Sequence, residues 1–457
     1  MSTSSKTNFC GIDFGTTNSS LAIIKDKTPQ TILLDTGSKN QQVLKSLIYI
    51  NPQHEASLGS QATLKYLHDL EHFPSKPPRL EFTGRYIKTF GPSTGGGAGP
   101  PIFVPEIVEV DDSGRGRLLQ SLKSVLTSDS FTGTNVFGKF YSLEDLLSIL
   151  LKEIKYQAEK QLGYQLQSVL LGRPVKYVGS GKEATALKRM HQIALNSGFK
   201  NIEFEYEPIG AALNYGLNIN TDQKVLVFDF GGGTLDVCIM KLPQKEILSV
   251  SGIPVGGDLL NSKIVEYKLY PHFGSESIIN GKMSFPRHFL HSLSSWYEST
   301  MLKNVKDVAA LENLVIKSNQ PDKVSNLLNL VVNDYAFDFF RNVDKTKIHL
   351  SNSDQSTFEI KRPKLNITQD ISRSEFEKAI EEELQSTEEC INEVLKLASL
   401  DAKDIDKVIL TGGSSQVPVF KELLTSIFSP EKIIGSDYFT AVALGLAIRA
   451  EQVFDKS

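Results

Sequence analysis

The most constraining feature of this chain is a pattern that occurs twice. Residues 9–24 read FCGIDFGTTNSSLAII, an apolar strand, a tight turn carrying Asp13, Phe14 and Gly15, and a second apolar strand. Residues 225–242 read VLVFDFGGGTLDVCIMKL and repeat that order around Asp229, Phe230 and Gly231. Short apolar runs bounded by glycine turns read as buried strands. Two such hairpins, 216 residues apart from Asp13 to Asp229, predict a duplicated α/β architecture whose halves face each other. At 457 residues the chain is long enough for two domains, each with its own core.

The two turns share a physical task. Glycine lets the backbone approach a ligand closely, so that successive N–H groups can converge on phosphate oxygens. Thr16, Thr17 and Thr234 add hydroxyl donors. Asp13 and Asp229 close the strands and are placed to hold a hydrated magnesium ion, which prefers carboxylates and water. One such turn alone is more often an ordinary hairpin turn. Two matched turns, each with Asp before Gly and Thr after, make coincidence a poor explanation. A third element, VILTGGSSQVP, joins a strand to a helix N-terminus through Gly412, Gly413 and Ser414. That is a ready site for a phosphate or a nucleoside, and by itself equally a plain loop. A fourth, YEPIGAALNYG, leads from Glu207 into Gly210, Ala211 and Ala212, small residues that predict very close packing against a neighbour. A lone Glu at such a place is more often a cap or a solvated residue than a ligand.

Around these elements the pattern predicts a Pro/Gly-rich surface insertion at about 65–117, partly flexible, and a helix near Leu143–Gln161. A strand, SVLLGRPV, and a helix to about Asn196 follow, and 262–345 is irregular with several helix candidates. Phe376, Ile380, Leu384, Ile391, Val394 and Ala398 form one helical stripe behind a capping box of Ser372 and Glu375. Then come a strand at Val408–Leu410, a helix entered near Pro418 and a last helix, TAVALGLAIRAEQVF. GSGKEA at Gly179–Ala184 lacks the hydroxyl that a P-loop needs after Lys182, and GPSTG at Gly91–Gly95 reads as loop composition. A net charge of −4 gives no general electrostatic reason to bind nucleic acid or a membrane surface. The polar start and the absence of any apolar run near 20 residues predict a cytoplasmic protein. Cys10, Cys238 and Cys390 are too few and too scattered for a disulfide framework or zinc site, and read as core residues.

Taken in order, GIDFGTTNS, VFDFGGGTLDV, YEPIGAALNYGL, GIPVGGDLLN and ILTGGSSQVPVF resemble the five signature segments of the heat-shock protein 70 (DnaK) ATPase domain, from about Phe9 to Ala450. VLLGRPVKY and YEPIGAALNYG look closest to the short, YegD-like bacterial group. The resemblance implies an actin-like α/β ATPase fold, two lobes of duplicated mixed β-sheet flanked by helices around a nucleotide cleft. Lobe I would span 1–217 and lobe II 218–435, with an elaborated subdomain at about 262–367, and 436–457 would return to lobe I as the C-terminal helix. It implies ATP or ADP with Mg2+ in the cleft and slow ATP hydrolysis. The family's metal and phosphate aspartates fall on Asp13 and Asp229, its metal-water glutamate on Glu207, and a further carboxylate on Asp236. Its phosphate-turn residues fall on Gly15, Thr16, Thr17, Asn18, Gly231, Gly232, Gly233 and Thr234, and further nucleotide contacts on Gly256, Gly257, Gly412, Gly413 and Ser414. SLKSVL places the catalytic lysine at Lys123; a surface helix lysine is the plainer reading. The interdomain proline and its basic partner fall on Pro174 and Lys182.

The adenosine pocket departs from the family. Its acidic, lysine and serine positions are Asp344, Lys347 and Ser351, but Ile348 and Gln416 stand where the family has arginines, which predicts weaker nucleotide binding. The sequence ends at Ser457, where the family continues into a peptide-binding sandwich. The resemblance therefore implies a chaperone-related monomer without its own peptide-binding domain, read by a partner protein or co-chaperone that senses lobe closure, with no nucleic acid and no membrane. Other readings are a non-hydrolysing nucleotide-sensing scaffold, a sugar or acetate kinase of the same superfold, and an actin-like filament.

Overall fold

In the computed structural model, which describes residues 8–74, 76–90, 101–110, 114–129, 131–178 and 182–455, each hairpin sits at the centre of a sheet. Strands Phe9–Phe14 and Asn18–Lys25 pair antiparallel with Gly11 opposite Ala22 and Asp13 opposite Ser20. Thr28–Thr31 continues antiparallel on one side, while Ser168–Arg173 and Asn201–Tyr206 add in parallel on the other. The second sheet repeats this order. Gln223–Phe230, Leu235–Leu242 and Glu246–Ile253 run antiparallel, and Lys407–Thr411 and Ile433–Gly435 add in parallel. The duplication expected from the paired hairpins is thus a duplication of topology.

Both faces of each central strand are buried, so their sequences are continuous apolar runs rather than alternating ones. Cys10, Ile12 and Phe14 belong to an outer core shared with the helices Leu143–Leu162 and Glu183–Asn196. The first of these helices begins in a capping box of Ser142 and Asp145 and stops at Gly163. Phe9, Ala22, Ile24 and Leu170 join Val225, Val227, Cys238 and Met240 in a second core between the sheets. That core also takes in the helices Glu207–Tyr215 and Ala441–Phe454. These two helices cross almost backbone to backbone: a Cβ added at Gly445 would lie 1.6 Å from the Gly210 carbonyl oxygen. A Cβ at Gly11 would come within 2.2 Å of the Ala447 nitrogen. The small residues of YEPIGAALNYG serve the close packing that their size predicts. All three cysteines are buried and free, and burial pushes the thiols of Cys10 and Cys238 far up.

The stretch expected as an insertion begins inside a helix, Gly59–His72, and continues as an antiparallel ribbon of Arg79–Phe90 with Pro101–Val110. The GPSTG letters at 91–95 and residues 179–181 of GSGKEA lie outside the described residues. Arg115 donates to the Phe73 and Asn333 carbonyls at 2.7–2.9 Å and 2.8 Å. The Tyr66 hydroxyl donates to the Asp334 carbonyl, and the Tyr66 and Phe337 rings meet edge to face at 5.0 Å. These contacts clasp the segment around Tyr66 and Arg115 to the helix Ala336–Leu350.

One helix of the sequence reading is two. The stripe from Phe376 to Ala398 breaks at Ile380, between Arg373–Ala379 and Glu381–Leu397. Ile380 is fully buried in a non-helical backbone, and Glu381, Glu382 and Glu383 open a fresh N-terminus, where acidic side chains suit the helix dipole. No helix among the described residues is long and apolar enough to cross a membrane.

Candidate functional site

The matched turns face each other across a cleft. Asp13 ends one central strand and Asp229 the other, the latter flanked in register by Asp236 and Thr411. The glycines are required here by proximity. A Cβ at Gly232 would stand 2.3 Å from the Thr17 hydroxyl, one at Gly233 2.9 Å from that of Thr16, and one at Gly15 2.2 Å from the Asn18 carbonyl. The cleft is lined by Asp13, Gly15, Thr16, Thr17, Asn18, Lys123, Glu207, Asp229, Gly231, Gly232, Gly233, Thr234, Gly412 and Gly413, all named from sequence. Ser124, Pro174, Tyr177, Val178, Thr411, Tyr438, Phe439 and Val442 complete its wall.

Lys123 is no surface lysine. Ser121, at φ +51°, turns the chain into the single helical turn Leu122–Val125, which buries Lys123. Its ammonium donates to the Glu207 carboxylate at 3.0 Å. Burial pulls its pKa down, but Glu207, Tyr177 and Asp13 together outweigh that and hold it above the ordinary lysine value. The carboxylates go the other way. Burial, then Glu207, push Asp13 up to about 7 against the pull of Lys123. Asp236 is likewise pushed up to about 7, and Asp229 well above the usual range, in each case by burial first and Glu207 next. The buried Asp229 and Asp236 and the partly buried Asp13 and Glu207, with one lysine among them, form a site short of positive charge. Among the described residues no three His, Cys, Asp or Glu groups converge as a ready metal cage. An oxygen-rich, acidic set of this kind fits a hard dication that keeps most of its water and shares the rest with phosphate, as Mg2+ does.

The remaining sequence candidates stand behind the cleft wall. Asp236 accepts from the Thr234 hydroxyl at 2.7 Å and from the Val175 amide at 2.6 Å, fixing the second turn to the exit of the strand Ser168–Arg173. The Gly257 amide and the Ser414 hydroxyl both donate to the Gly231 carbonyl, at 3.0 and 2.9 Å. Gly256 admits the turn itself, since a Cβ there would lie 2.4 Å from the Gly232 carbonyl oxygen. Lys347 donates to the Gly257 carbonyl at 2.9 Å and pairs with Asp344 at 3.0 Å. Ser351 caps the same helix by donating to the Lys347 carbonyl at 3.3 Å. Lys182 pairs with Asp129 away from the carboxylates, while Pro174 lines the cleft.

Tyr177 and Phe439 were missed by sequence reasoning. Tyr177 is buried beside Lys123, and its hydroxyl is pushed up to about 12, chiefly by burial. Its signal was available, because RPVKY leaves a buried strand at a proline that points the chain towards the cleft. Phe439, half exposed, has its ring 3.7 Å from where a Cβ on Gly413 would be, and an aromatic in a turn carries no periodic signal. A protein-family model described as Hsp70 protein matches residues 119–285 and 333–455, more than half of the chain. The matched stretches contain Lys123, Glu207, the second hairpin and the Gly412 turn, while Asp13 joins the set through the cleft geometry.

Proposed function

The chain belongs to the Hsp70 family, with its actin-like nucleotide-binding fold, and on that premise we propose that it binds ATP and ADP with Mg2+ in the cleft and slowly hydrolyses ATP. The observation that carries this reading is the buried Lys123–Glu207 pair, set among Asp13, Asp229 and the two facing glycine–threonine turns. Asp13, Asp229 and Glu207 would hold the ion, directly or through water. When bound, Mg2+ supplies neutralisation of charge on the phosphate oxygens. The turn amides, that of Thr234 among them, and the hydroxyls of Thr16 and Thr17 orient the phosphates. Lys123, kept charged by Glu207, donates where negative charge grows as water attacks the terminal phosphorus and ADP leaves. Asp236, holding Thr234 and the Val175 amide, keeps the second turn in place for this chemistry. Catalysis of this kind is mostly positioning and electrostatics.

The reading extends to the whole chain as two lobes, about 1–217 and 218–435, with 436–457 returning to the first. Their closure on nucleotide is the output, sensed by a protein partner in a chaperone-related task. Removing one preorganised donor typically costs ~3 kcal/mol of transition-state stabilisation. Lys123→Ala is therefore expected to slow single-turnover ATP hydrolysis about 100-fold while calorimetric nucleotide binding stays within a few-fold. A turnover rate within about threefold of wild type assigns the chemistry to another group.

A further inference from the structure

The ribbon of Arg79–Phe90 and Pro101–Val110 is unused by the cleft, and its aromatic rings gather on one face. Phe82 lies opposite Ile107, Lys88 opposite Phe103 and Phe90 opposite Pro101. Cross-strand partners project to the same side, and residues two apart along a strand share it. The strand bulges between Phe82 and Tyr86, with Gly84 at φ +82°, yet the rings of these two residues meet edge to face at 5.3 Å. The bulge therefore preserves the face. Leu80, Phe82, Tyr86, Phe90, Phe103 and Ile107 form one apolar stripe, each residue 46–66% exposed. The opposite face has no aromatic ring: it carries the aliphatic Ile87, Ile102, Val104 and Val108, with Arg79 beside Glu81 at 2.8 Å and the Thr83 hydroxyl donating to Glu106 at 2.7 Å.

A two-stranded ribbon is marginal in water unless a face is covered. Its edges are defended against pairing by Pro101, Pro105, the bulge, Arg85 and Lys88. The stripe is not. Six side chains of this size and exposure leave on the order of 600 Å² of apolar surface, above what monomers usually show in one patch. Two such stripes laid face to face would bury roughly 1,200 Å² in total, the lower bound of specific interfaces. Among the described side chains, Lys88 alone puts a charge on this face, too little to select an oppositely charged partner. The geometry points to a second copy of this chain: the ribbons stack through their aromatic faces about a two-fold axis and make the protein a homodimer, against the monomer expected from sequence.

Sedimentation of the full chain from about 1 to 100 μM tests this, the range in which an interface of this size associates. A concentration-dependent shift to twice the monomer mass is expected. Phe82→Ser with Phe103→Ser is expected to weaken association at least tenfold with an unchanged unfolding midpoint, since both side chains are largely exposed. Replacing 79–110 by a two-residue turn, which the pairing of Arg79 with Val110 permits, is expected to give a monomer at every concentration. A wild-type protein monomeric throughout overturns the proposal, and so does a dimer indifferent to both variants. Flotation with phosphatidylcholine–phosphatidylserine vesicles separates the other occupant: a monomer that floats, and sinks when Phe82 and Phe103 are changed, assigns the stripe to a lipid surface instead.

Discussion

Phe439 bears on how the proposed site would hold a base. Ile348 is exposed and Gln416 only reaches back to the Gly413 carbonyl at 3.5 Å, so neither offers a cation to a base. The aromatic ring beside Gly413 offers a flat apolar face on the same cleft wall. Stacking of a base on an aromatic side chain is worth ~1–3 kcal/mol. Phe439→Ala is accordingly expected to weaken nucleotide binding about tenfold by calorimetry, and Phe439→Trp to preserve it. Equal affinities for wild type and the alanine variant would move the base to another wall. Ser20 is no confounder, because it donates to the backbone carbonyl of Phe439, which both variants keep. Among single residues, legibility followed repetition. Asp13, Gly15, Asp229 and Gly231 announced themselves because the same letters occur twice, each copy restricting the meaning of the other. Lys123 was readable only by likeness of SLKSVL to a family segment, because its burial depends on the positive φ of Ser121. No periodicity reports that.

At the scale of elements, caps were legible and breaks were not. Ser372 and Glu375 form the capping box that their spacing predicts, with the Ser372 hydroxyl accepting from the Glu375 amide at 3.2 Å and the Glu375 carboxylate accepting from the Ser372 amide at 2.9 Å. Hidden from sequence was Lys268, 107 residues away, which donates to Glu375 at 2.6 Å. That bond, with the Ser372 amide, holds the Glu375 carboxyl down at about 2, below its ordinary 4.5. A carboxyl depressed in the folded state stabilises above its ordinary pKa, and the effect disappears as pH falls towards the folded value. Glu375 is partly exposed, so solvent screening keeps the ion pair small and the cap supplies most of the effect. Glu375→Ala is expected to cost about 1 kcal/mol at pH 7. In urea melts its deficit should shrink between about pH 4.5 and 2, and a deficit constant over that range would show that charge has no part in it. The break at Ile380 escaped the periodic reading because all the apolar positions still fall on one stripe. One residue of altered backbone re-aims a helix without disturbing its spacing.

For the molecule as a whole, the repeated hairpin was enough to foresee two like sheets, because a buried strand pair with its turn fixes which neighbours can add to it. The clasp could not be foreseen. Arg115, Phe73 and Asn333 are separated by 42 and 218 residues from Arg115, and a bond from a guanidinium to two backbone carbonyls leaves no mark in side-chain pattern. Under the proposed division it joins the first lobe to the second, and on that reading it should slow the release of bound nucleotide. Hydrogen bonds to a charged group are worth ~1.5–3 kcal/mol. Arg115→Ala is expected to speed ADP dissociation about tenfold in stopped-flow displacement, and an unaltered rate would remove the clasp as a gate. The crossing of Gly210 and Gly445 falls wholly within the first lobe of the proposed division. Two helices touching through bare peptide groups leave no side chain between them to yield, so they behave as one welded piece. Gly11 touches this weld at Ala447, and Asp13 is only two residues further along the strand. Whatever grips the last helix from outside therefore holds the strand of Asp13 as well.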